Sequence, residues 1–133
     1  MWLYNGKEIS DEEIEGYSSF VYRITNLETG KKYIGKKILK SFRRKKVKGK
    51  TRRKKVISES DWKSYFGSNK LLQEDVERLG QDRFLREILR LCKTRGTASY
   101  WEAYEIMVNQ AIISDEYYNE SLQCRVHRSH VKE

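Results

Sequence analysis

The chain has 133 residues, a length that fits one domain with one modest hydrophobic core. Its aromatic content of 12% argues against disorder, because disordered chains lack the apolar area that offsets chain entropy. Two cysteines cannot build a disulfide framework, and the sequence shows neither a signal peptide nor an apolar stretch of membrane-spanning length, so we expect a cytoplasmic protein.

The net charge of +9 is concentrated in one window. Thirteen of the twenty residues from Lys36 to Lys55 are Lys or Arg, whereas the rest of the chain carries 15 basic and 19 acidic residues. Such a local positive field attracts a polyanion. A segment that binds anionic lipid would carry apolar anchors at helical spacing, and only four apolar residues interrupt this window. The charge pattern therefore predicts nucleic acid as the partner.

The N-terminal half predicts two hairpins before the basic window. Asn5-Gly6 is a turn signal between short apolar pieces and indicates a minor hairpin. Ser10 with Glu13 forms a capping-box pattern that opens a short acidic turn or helix. Residues 20–25 are β-branched and aromatic in alternation and predict a strand, which a turn joins to a second strand over 32–35.

The middle of the chain predicts helical pieces and one ambiguous segment. A single helical turn capped by Ser60 is expected over 61–66. A longer helix begins after Ser68-Asn69 and ends at Gly80. Residues 83–92 fit either a short helix or a buried strand.

The strongest helix prediction covers residues 97–113. Thr97 can serve as its N-cap. Its predicted apolar stripe consists of Trp101, Tyr104, Val108, Ala111 and Ile112.

Two short segments carry a recognisable signature. Val21-Tyr22 and, eleven residues later, Tyr33-Ile34-Gly35 resemble the two signature segments of the GIY-YIG nuclease superfamily, and the likeness is closest to small phage-encoded endonucleases of that superfamily. The leading Gly-Ile of the signature is Phe20-Val21 here. Residues 62–68, residues 84–91, the helix around Glu102 and Tyr118-Asn119 then follow the order of the family, so the resemblance covers roughly residues 20–120.

The resemblance implies an α/β (α+β) fold. We expect a small antiparallel sheet of three strands flanked by helices, with the basic residues inserted after the second strand as a hairpin or loop. On this basis alone, residues 84–91 become a strand. The chain is expected to be a single domain over 1–133, with an N-terminal extension (1–18), a basic arm (36–57) and a C-terminal tail (121–133).

A nuclease of this kind needs an activated water, neutralisation of the developing charge and help for the leaving oxygen. Mg²⁺ or Mn²⁺ supplies the last two, and Mg²⁺ needs only one or two protein carboxylates. The metal Glu of the resembling family has an apolar residue four positions later on its helix. Glu102 has Ile106 there and is the candidate ligand. Glu105, followed by Asn109, is the alternative, because it projects nearer the predicted stripe.

The resemblance assigns the two signature tyrosines to the chemistry. Tyr22 is expected to act as the general base or its relay, and Tyr33 to position water or phosphate. A free tyrosine has a pKa of about 10, so the ionised form needs help from cations. The candidates are a bound metal and Lys36, Lys37, Arg43 or Arg44.

An arginine on the scissile phosphate and an asparagine near the end of the domain are also implied. Arg43 lies ten residues past Tyr33 and Arg44 is adjacent, so either residue fits the role, and a guanidinium suits bidentate contact with a phosphate. Asn119 is expected to orient Glu102 or a metal-bound water; the alternative is a simple turn residue.

The remaining cations are expected to bind the nucleic-acid backbone without a catalytic part. They are Lys36, Lys37, Lys45, Lys46, Lys48, Lys50, Arg52, Arg53, Lys54 and Lys55.

Two alternatives stay open at this point. Cys124, His127 and His130, with Cys92 as a fourth ligand, form a rival site for Zn²⁺. The chain could also be a noncatalytic DNA- or RNA-binding protein on the same scaffold, because no stacking motif separates RNA from DNA. The first expectation is a metal-dependent DNA endonuclease, in which the tyrosines, the arginine and Glu102 converge on one pocket.

Overall fold

The computed structural model of the chain describes residues 1–46 and 53–133, with the backbone alone described over 41–46 and 53–57. The described residues form seven strands and two α-helices. The strands are β1 (Trp2–Tyr4), β2 (Lys7–Glu8), β3 (Ser19–Asn26), β4 (Lys32–Ile38), β5 (Lys40–Lys46), β6 (Arg53–Glu59) and β7 (Phe84–Cys92). The helices are α1 (Lys70–Leu79) and α2 (Arg95–Val108).

The main sheet has five strands in the order β2-β1-β7-β3-β4, so the expected α+β class is confirmed and the expected number of three strands is wrong. The two extra strands are the minor hairpin at Asn5-Gly6, whose β1 pairs parallel with β7. Both turn residues have positive φ, as a tight hairpin requires. Trp2 anchors the hairpin because its buried ring packs on Phe20.

The sheet divides the core into two clusters. Because side chains alternate along a strand, Tyr22 of β3 faces the side that α1 covers, whereas Val21 faces α2. The strand β7 lies beside β3 in the centre of the sheet, which settles the ambiguous segment in favour of the strand that the family resemblance implied. β4 is left at the edge.

Helix α1 follows the prediction, since Asn69 caps its N-terminus and Gly80 ends it. The expected helical turn is present at Trp62–Ser64, although Asp61 and not Ser60 is its N-cap residue. The Ser60 hydroxyl instead donates to the carbonyl of Ile38.

Helix α2 differs from its prediction in its bounds and in part of its buried face: of the expected stripe, Ala111 is buried and Trp101 packs against the core, whereas other members are exposed. Its N-cap is Thr94, which accepts from the amide of Thr97, and the helix ends at Val108 rather than residue 113. Tyr104 and Val108, expected on the apolar stripe, are 43% and 57% exposed. The face turned to the sheet carries Ala98, Ala103 and Ile106. Glu102 therefore lies on the inward face of α2, although the predicted stripe placed Glu105 nearer the core.

The basic insertion forms a separate two-stranded sheet, in which β5 pairs antiparallel with β6. Arg43 stands opposite Val56 and Arg44 opposite Lys55 in its backbone register. Three of the predicted phosphate contacts, Lys48, Lys50 and Arg52, lie outside the described residues. Across the described ranges, no helix has the length and apolar character needed to cross a membrane.

Candidate active site

The close approach between β3 and β4 at the signature sequence explains why a glycine is needed there. Tyr22 stands opposite Gly35 in the register, and its fully buried ring crosses over that glycine. A Cβ at Gly35 would meet the Tyr22 hydroxyl and would lie 2.6 Å from its Cζ. The missing side chain therefore lets the Tyr22 phenol extend across β4 toward the outer edge of the sheet.

The outward-facing backbone groups of β4 are satisfied by three different partners in succession. Lys32 is paired with the backbone of Glu116 and Tyr118. Ile34 follows, with the Asn119 amide donating to its carbonyl at 2.8 Å and accepting from its N–H at 3.0 Å. At Lys36, the backbone N–H donates to the Glu102 carboxylate. The last of these three partners along β4 is thus Glu102, the metal ligand that the sequence predicted.

This arrangement revises the expected task of Asn119. Its side chain is buried, and both hydrogen bonds that it makes through its amide go to the Ile34 backbone. Asn119 therefore holds the strand between Tyr33 and Gly35 in place instead of orienting Glu102.

Three phenols meet where the Tyr22 ring crosses β4. The Tyr22 ring centroid lies 6.2 Å from that of Tyr33 and 5.9 Å from that of Tyr65, the latter edge to face. The Tyr33 hydroxyl is 3.1 Å from Oγ of Ser68. Tyr65 was not singled out by sequence reasoning, because only its contact with Tyr22 distinguishes it from any other loop aromatic.

The environment of these phenols opposes their ionisation. Burial raises the pKa of Tyr22 well above its ordinary value, and Tyr65, Tyr33 and Glu102 raise it further. Burial also raises the pKa of Tyr33, against a lowering contribution from Ser68. Among the described residues, Lys36 and Lys37 do not lower the pKa of either tyrosine below its ordinary value.

The two candidate glutamates have different partners. Burial raises the pKa of Glu102, while the charge and backbone N–H of Lys36 lower it. The Glu102 carboxylate is close enough to raise the pKa of both Tyr22 and Tyr33. Glu105 instead accepts from Nε of Arg90 at 3.3 Å. Glu102 is therefore the acid that shares a site with the tyrosines.

The loop that carries Tyr65 is held by a buried arginine that sequence reasoning missed. Arg86 of β7 donates to the carbonyls of Lys63 and Tyr65 at 3.1 and 2.8 Å, and its guanidinium lies 4.1 Å from the Phe66 ring centroid. Burial lowers the pKa of Arg86 to about 10. The signal was present in the sequence, because a strand over 84–92 places Arg86 on the same face as Phe84 and Ile88.

Two of the predicted phosphate-binding lysines lie beside the site. Nζ of Lys36 is 2.6 Å from Oγ of Ser99, and Nζ of Lys37 is 2.6 Å from the Asp61 carboxylate and 4.2 Å from the centroid of the Tyr65 ring. Apart from Lys40, the other cations of the arm, with Arg43 and Arg44, have side chains outside the described part of the structure. Those with a described backbone belong to β5, which starts two residues after β4 ends, or to β6.

The rival zinc ligands are not assembled. No group of three or more His, Cys, Asp or Glu residues within the described ranges could hold a metal ion. The backbone N–H of His127 donates to Nδ1 of His130, and Cys124 lies against the carbonyl of Ser99. Burial raises the pKa of Cys92 to about 11, which disfavours the thiolate that zinc requires.

Comparison with known proteins identifies the family of the chain. The family model described as "Putative endonuclease segE, GIY-YIG domain" matches residues 2–122. The chain belongs to this GIY-YIG family. It is also 34% identical over 100 residues to "Putative endonuclease segE" of Enterobacteria phage T4, an alignment that covers 75% of this chain and 39% of that protein. No solved structure gives a significant match.

The edge of β4 is the place where the residues expected from the family resemblance lie together. Tyr22, Tyr33 and Glu102 converge there although they come from two strands and a helix. The site offers two phenols and a carboxylate as oxygen donors, with two lysines alongside. Such a set can bind a phosphate, hold a water by hydrogen bonds and offer a hard ligand to a divalent cation.

Proposed function

We propose that this GIY-YIG protein is a metal-dependent endonuclease that hydrolyses DNA phosphodiester bonds. The observation that carries the proposal is the convergence of Tyr22, Tyr33 and Glu102 at the outer edge of β4, since a scaffold that only binds nucleic acid needs no half-buried carboxylate beside one buried and one partly buried phenol. The clustered positive charge of the chain supplies the attraction to a polyanion.

The donor set fits Mg²⁺ or Mn²⁺. Glu102 is the ligand that would hold the ion, and one protein carboxylate suffices when water and substrate oxygens fill the remaining positions. When bound, the cation supplies neutralisation of the charge that develops on the phosphate. Burial that raises the pKa of Glu102 is a cost that a nearby cation would offset.

Tyr22 is suited to relaying a proton rather than to carrying a resident negative charge. Its Oη accepts the proton of an attacking water while its own proton passes to the Tyr65 hydroxyl, to which it hydrogen bonds, and the partly exposed Tyr65 releases its own proton to solvent. The phenol is neutral before and after this exchange, which agrees with an environment that raises its pKa. Tyr33, whose hydroxyl is oriented by Ser68, holds the water or a phosphate oxygen in place.

The positive groups divide between the site and the arm. Lys36 and Lys37 act as point charges beside the scissile phosphate. Arg43 or Arg44 would supply the bidentate contact to that phosphate, because β5 begins two residues after β4 ends. The rest of the arm neutralises phosphates along the duplex.

The direct test is incubation of the purified protein with supercoiled plasmid, with and without Mg²⁺. We expect nicking only with the metal, and at least a 100-fold loss in Glu102→Gln, in the range typical of removing a group that stabilises the transition state. Glu105→Gln is the matched control on the same helix and should retain nicking.

Each other outcome has a distinct meaning. Retained nicking in Glu102→Gln would defeat the site assignment. Salt-sensitive binding of DNA without nicking at any Mg²⁺ concentration would support instead a noncatalytic nucleic-acid-binding protein on the same scaffold. Preferential cleavage of an RNA of the same sequence would move the substrate class from DNA to RNA.

A further inference from the structure

A pocket of about 420 Å³ opens beside the candidate active site, at the end of the sheet where β3 begins and β4 ends. It is lined by Ser19, Lys36, Lys37, Ile38, Tyr65, Arg95 and Ala98. Three of these side chains are cationic, and none of the seven is acidic. We propose that this pocket binds the phosphate next to the scissile one on the same nucleic-acid strand; this inference rests on the proposed function.

The position of the pocket follows from the ring of Tyr65. One side of that ring meets Tyr22 edge to face, and the Lys37 ammonium lies over it at 4.2 Å. The pocket and the catalytic phenols are therefore separated by one aromatic side chain. Neighbouring phosphates of one strand are separated by a single sugar, so a strand that places one phosphate at Tyr22 and Tyr33 reaches the pocket with the next.

The charges in the pocket differ in how far they are already neutralised. Lys37 is ion-paired with Asp61, and the charge of Lys36 acts on Glu102. Within the described residues, the exposed side chain of Arg95 makes no ion pair or hydrogen bond. Arg95 is thus the cation that is free to bind a ligand, and its planar guanidinium matches two oxygens of a phosphate.

The neutral lining suits an anion as well. Ser19 is buried with its hydroxyl 3.2 Å from that of Ser18, and it offers a hydroxyl at the base of the pocket. Ile38 and Ala98 exclude water from one side, which strengthens a charge-assisted hydrogen bond. A diester phosphate with one negative charge is a better match than a free nucleobase, because no exposed aromatic face other than that of Tyr65 lines the pocket.

The test uses two small probes, thymidine 3′,5′-bisphosphate and thymidine 5′-monophosphate. Their affinities for the full chain are measured by titration calorimetry at constant ionic strength, and the amide signals of Ser19, Lys37 and Ala98 are followed by NMR. The wild-type protein should prefer the bisphosphate by about tenfold, the size expected for one charge-assisted contact. Arg95→Ala should abolish that preference and the shifts at the pocket.

Arg83→Ala is the matched control, because Arg83 is an arginine at the opposite end of the sheet, paired there with Glu28. It should keep the preference. An equal preference in Arg95→Ala and wild type, or none in wild type, would overturn the pocket assignment.

Plasmid nicking by the same preparations separates the two proposals. Nicking without an Arg95-dependent preference for the bisphosphate would refute the pocket proposal and support the nuclease proposal. An Arg95-dependent preference without nicking would refute the nuclease proposal and support a phosphate-binding pocket.

Discussion

Gly35 is the residue at which strand geometry and site geometry coincide. Alanine in place of a strand glycine ordinarily stabilises a protein, because glycine loses more conformational freedom on folding. Here a Cβ would lie 2.6 Å from Cζ of Tyr22, so Gly35→Ala should instead lower the free energy of unfolding by about 1–3 kcal/mol, as overpacking does. Urea unfolding measures the change.

The partner residue provides the control for this prediction. In a Tyr22→Leu background the phenol is absent, and the cost of Gly35→Ala should fall toward zero. A variant Gly35→Ala that is as stable as the wild type would contradict the close packing of Tyr22 on β4.

We expect the ionised form of Glu102 to lower the stability of the fold, because its carboxylate is partly buried. Its pKa is raised by burial, so its contribution to stability is complete below the ordinary glutamate pKa of about 4.3 and is lost as the pH rises above that value. Glu102→Gln should therefore raise the free energy of unfolding at pH 7, by up to about 1 kcal/mol, and leave it unchanged near pH 3.5.

Glu105→Gln, on the same helix, should change the free energy of unfolding at pH 7 in the opposite direction. It removes the acceptor of an ion pair with Arg90 and should lower stability at pH 7. A destabilised Glu102→Gln at neutral pH, measured by the same urea titrations, would show that the carboxylate serves the fold and not the site.

At the scale of elements, the outer edge of β4 is held by the Asn119 side chain, which makes the two backbone hydrogen bonds that a neighbouring strand would make. Asn119→Ala would leave the N–H and carbonyl of Ile34 without their partners, which costs about 1–3 kcal/mol for buried groups. Hydrogen exchange at the Ile34 amide should accelerate strongly. Asn109→Ala, at the exposed end of α2, should leave that amide unchanged. Unaltered exchange at Ile34 in Asn119→Ala would refute the edge-holding role.

The elements show where sequence patterns were sufficient and where they were not. Local signals placed the Asn5-Gly6 hairpin, the Asn69 cap and Gly80 correctly, because a turn or a cap is decided by residues within one helical turn of it. The strand Phe84–Cys92 has an apolar pattern that a helix would also satisfy, and only its place between β1 and β3 decides the matter.

Helix α2 shows that local sequence patterns were also insufficient to place the residues of the candidate site. Its aromatic residues suggested a core-facing stripe, but two small residues, Ala98 and Ala103, face the sheet because they allow a close approach. Glu102 was identified by likeness to a family pattern, whereas its inward position and the contact of Tyr65 with Tyr22 required the tertiary structure. Contacts between residues distant in the chain leave no local periodicity to detect.

At the scale of the molecule, we expect the basic arm (36–57) to bind nucleic acid and the mildly acidic remainder of the chain to contribute little to that affinity. If about six phosphates are neutralised, the slope of log K against log salt is near −5. Replacing Lys45, Lys46, Arg53 and Arg52 by Gln should weaken binding to all sequences and reduce that slope by up to about 3.6. Fluorescence anisotropy over a range of salt concentrations measures both effects.

A set of cations elsewhere on the chain controls for net charge. Replacing Lys7, Arg78, Arg83 and Lys93 by Gln makes the same change in total charge outside the basic arm. An equal reduction of the slope in both sets would mean that the overall charge, and not the hairpin, determines binding.

The position of the divalent cation tests the central claim most directly. Mn²⁺ broadens the NMR signals of nearby nuclei, so a titration of the ¹⁵N-labelled protein locates the ion without any need for cleavage. We expect the strongest broadening at the amides of Gly35, Lys36 and Ala103, and its loss in Glu102→Gln. Broadening centred on residues 124–130, or broadening at β4 that survives Glu102→Gln, would contradict the site described here.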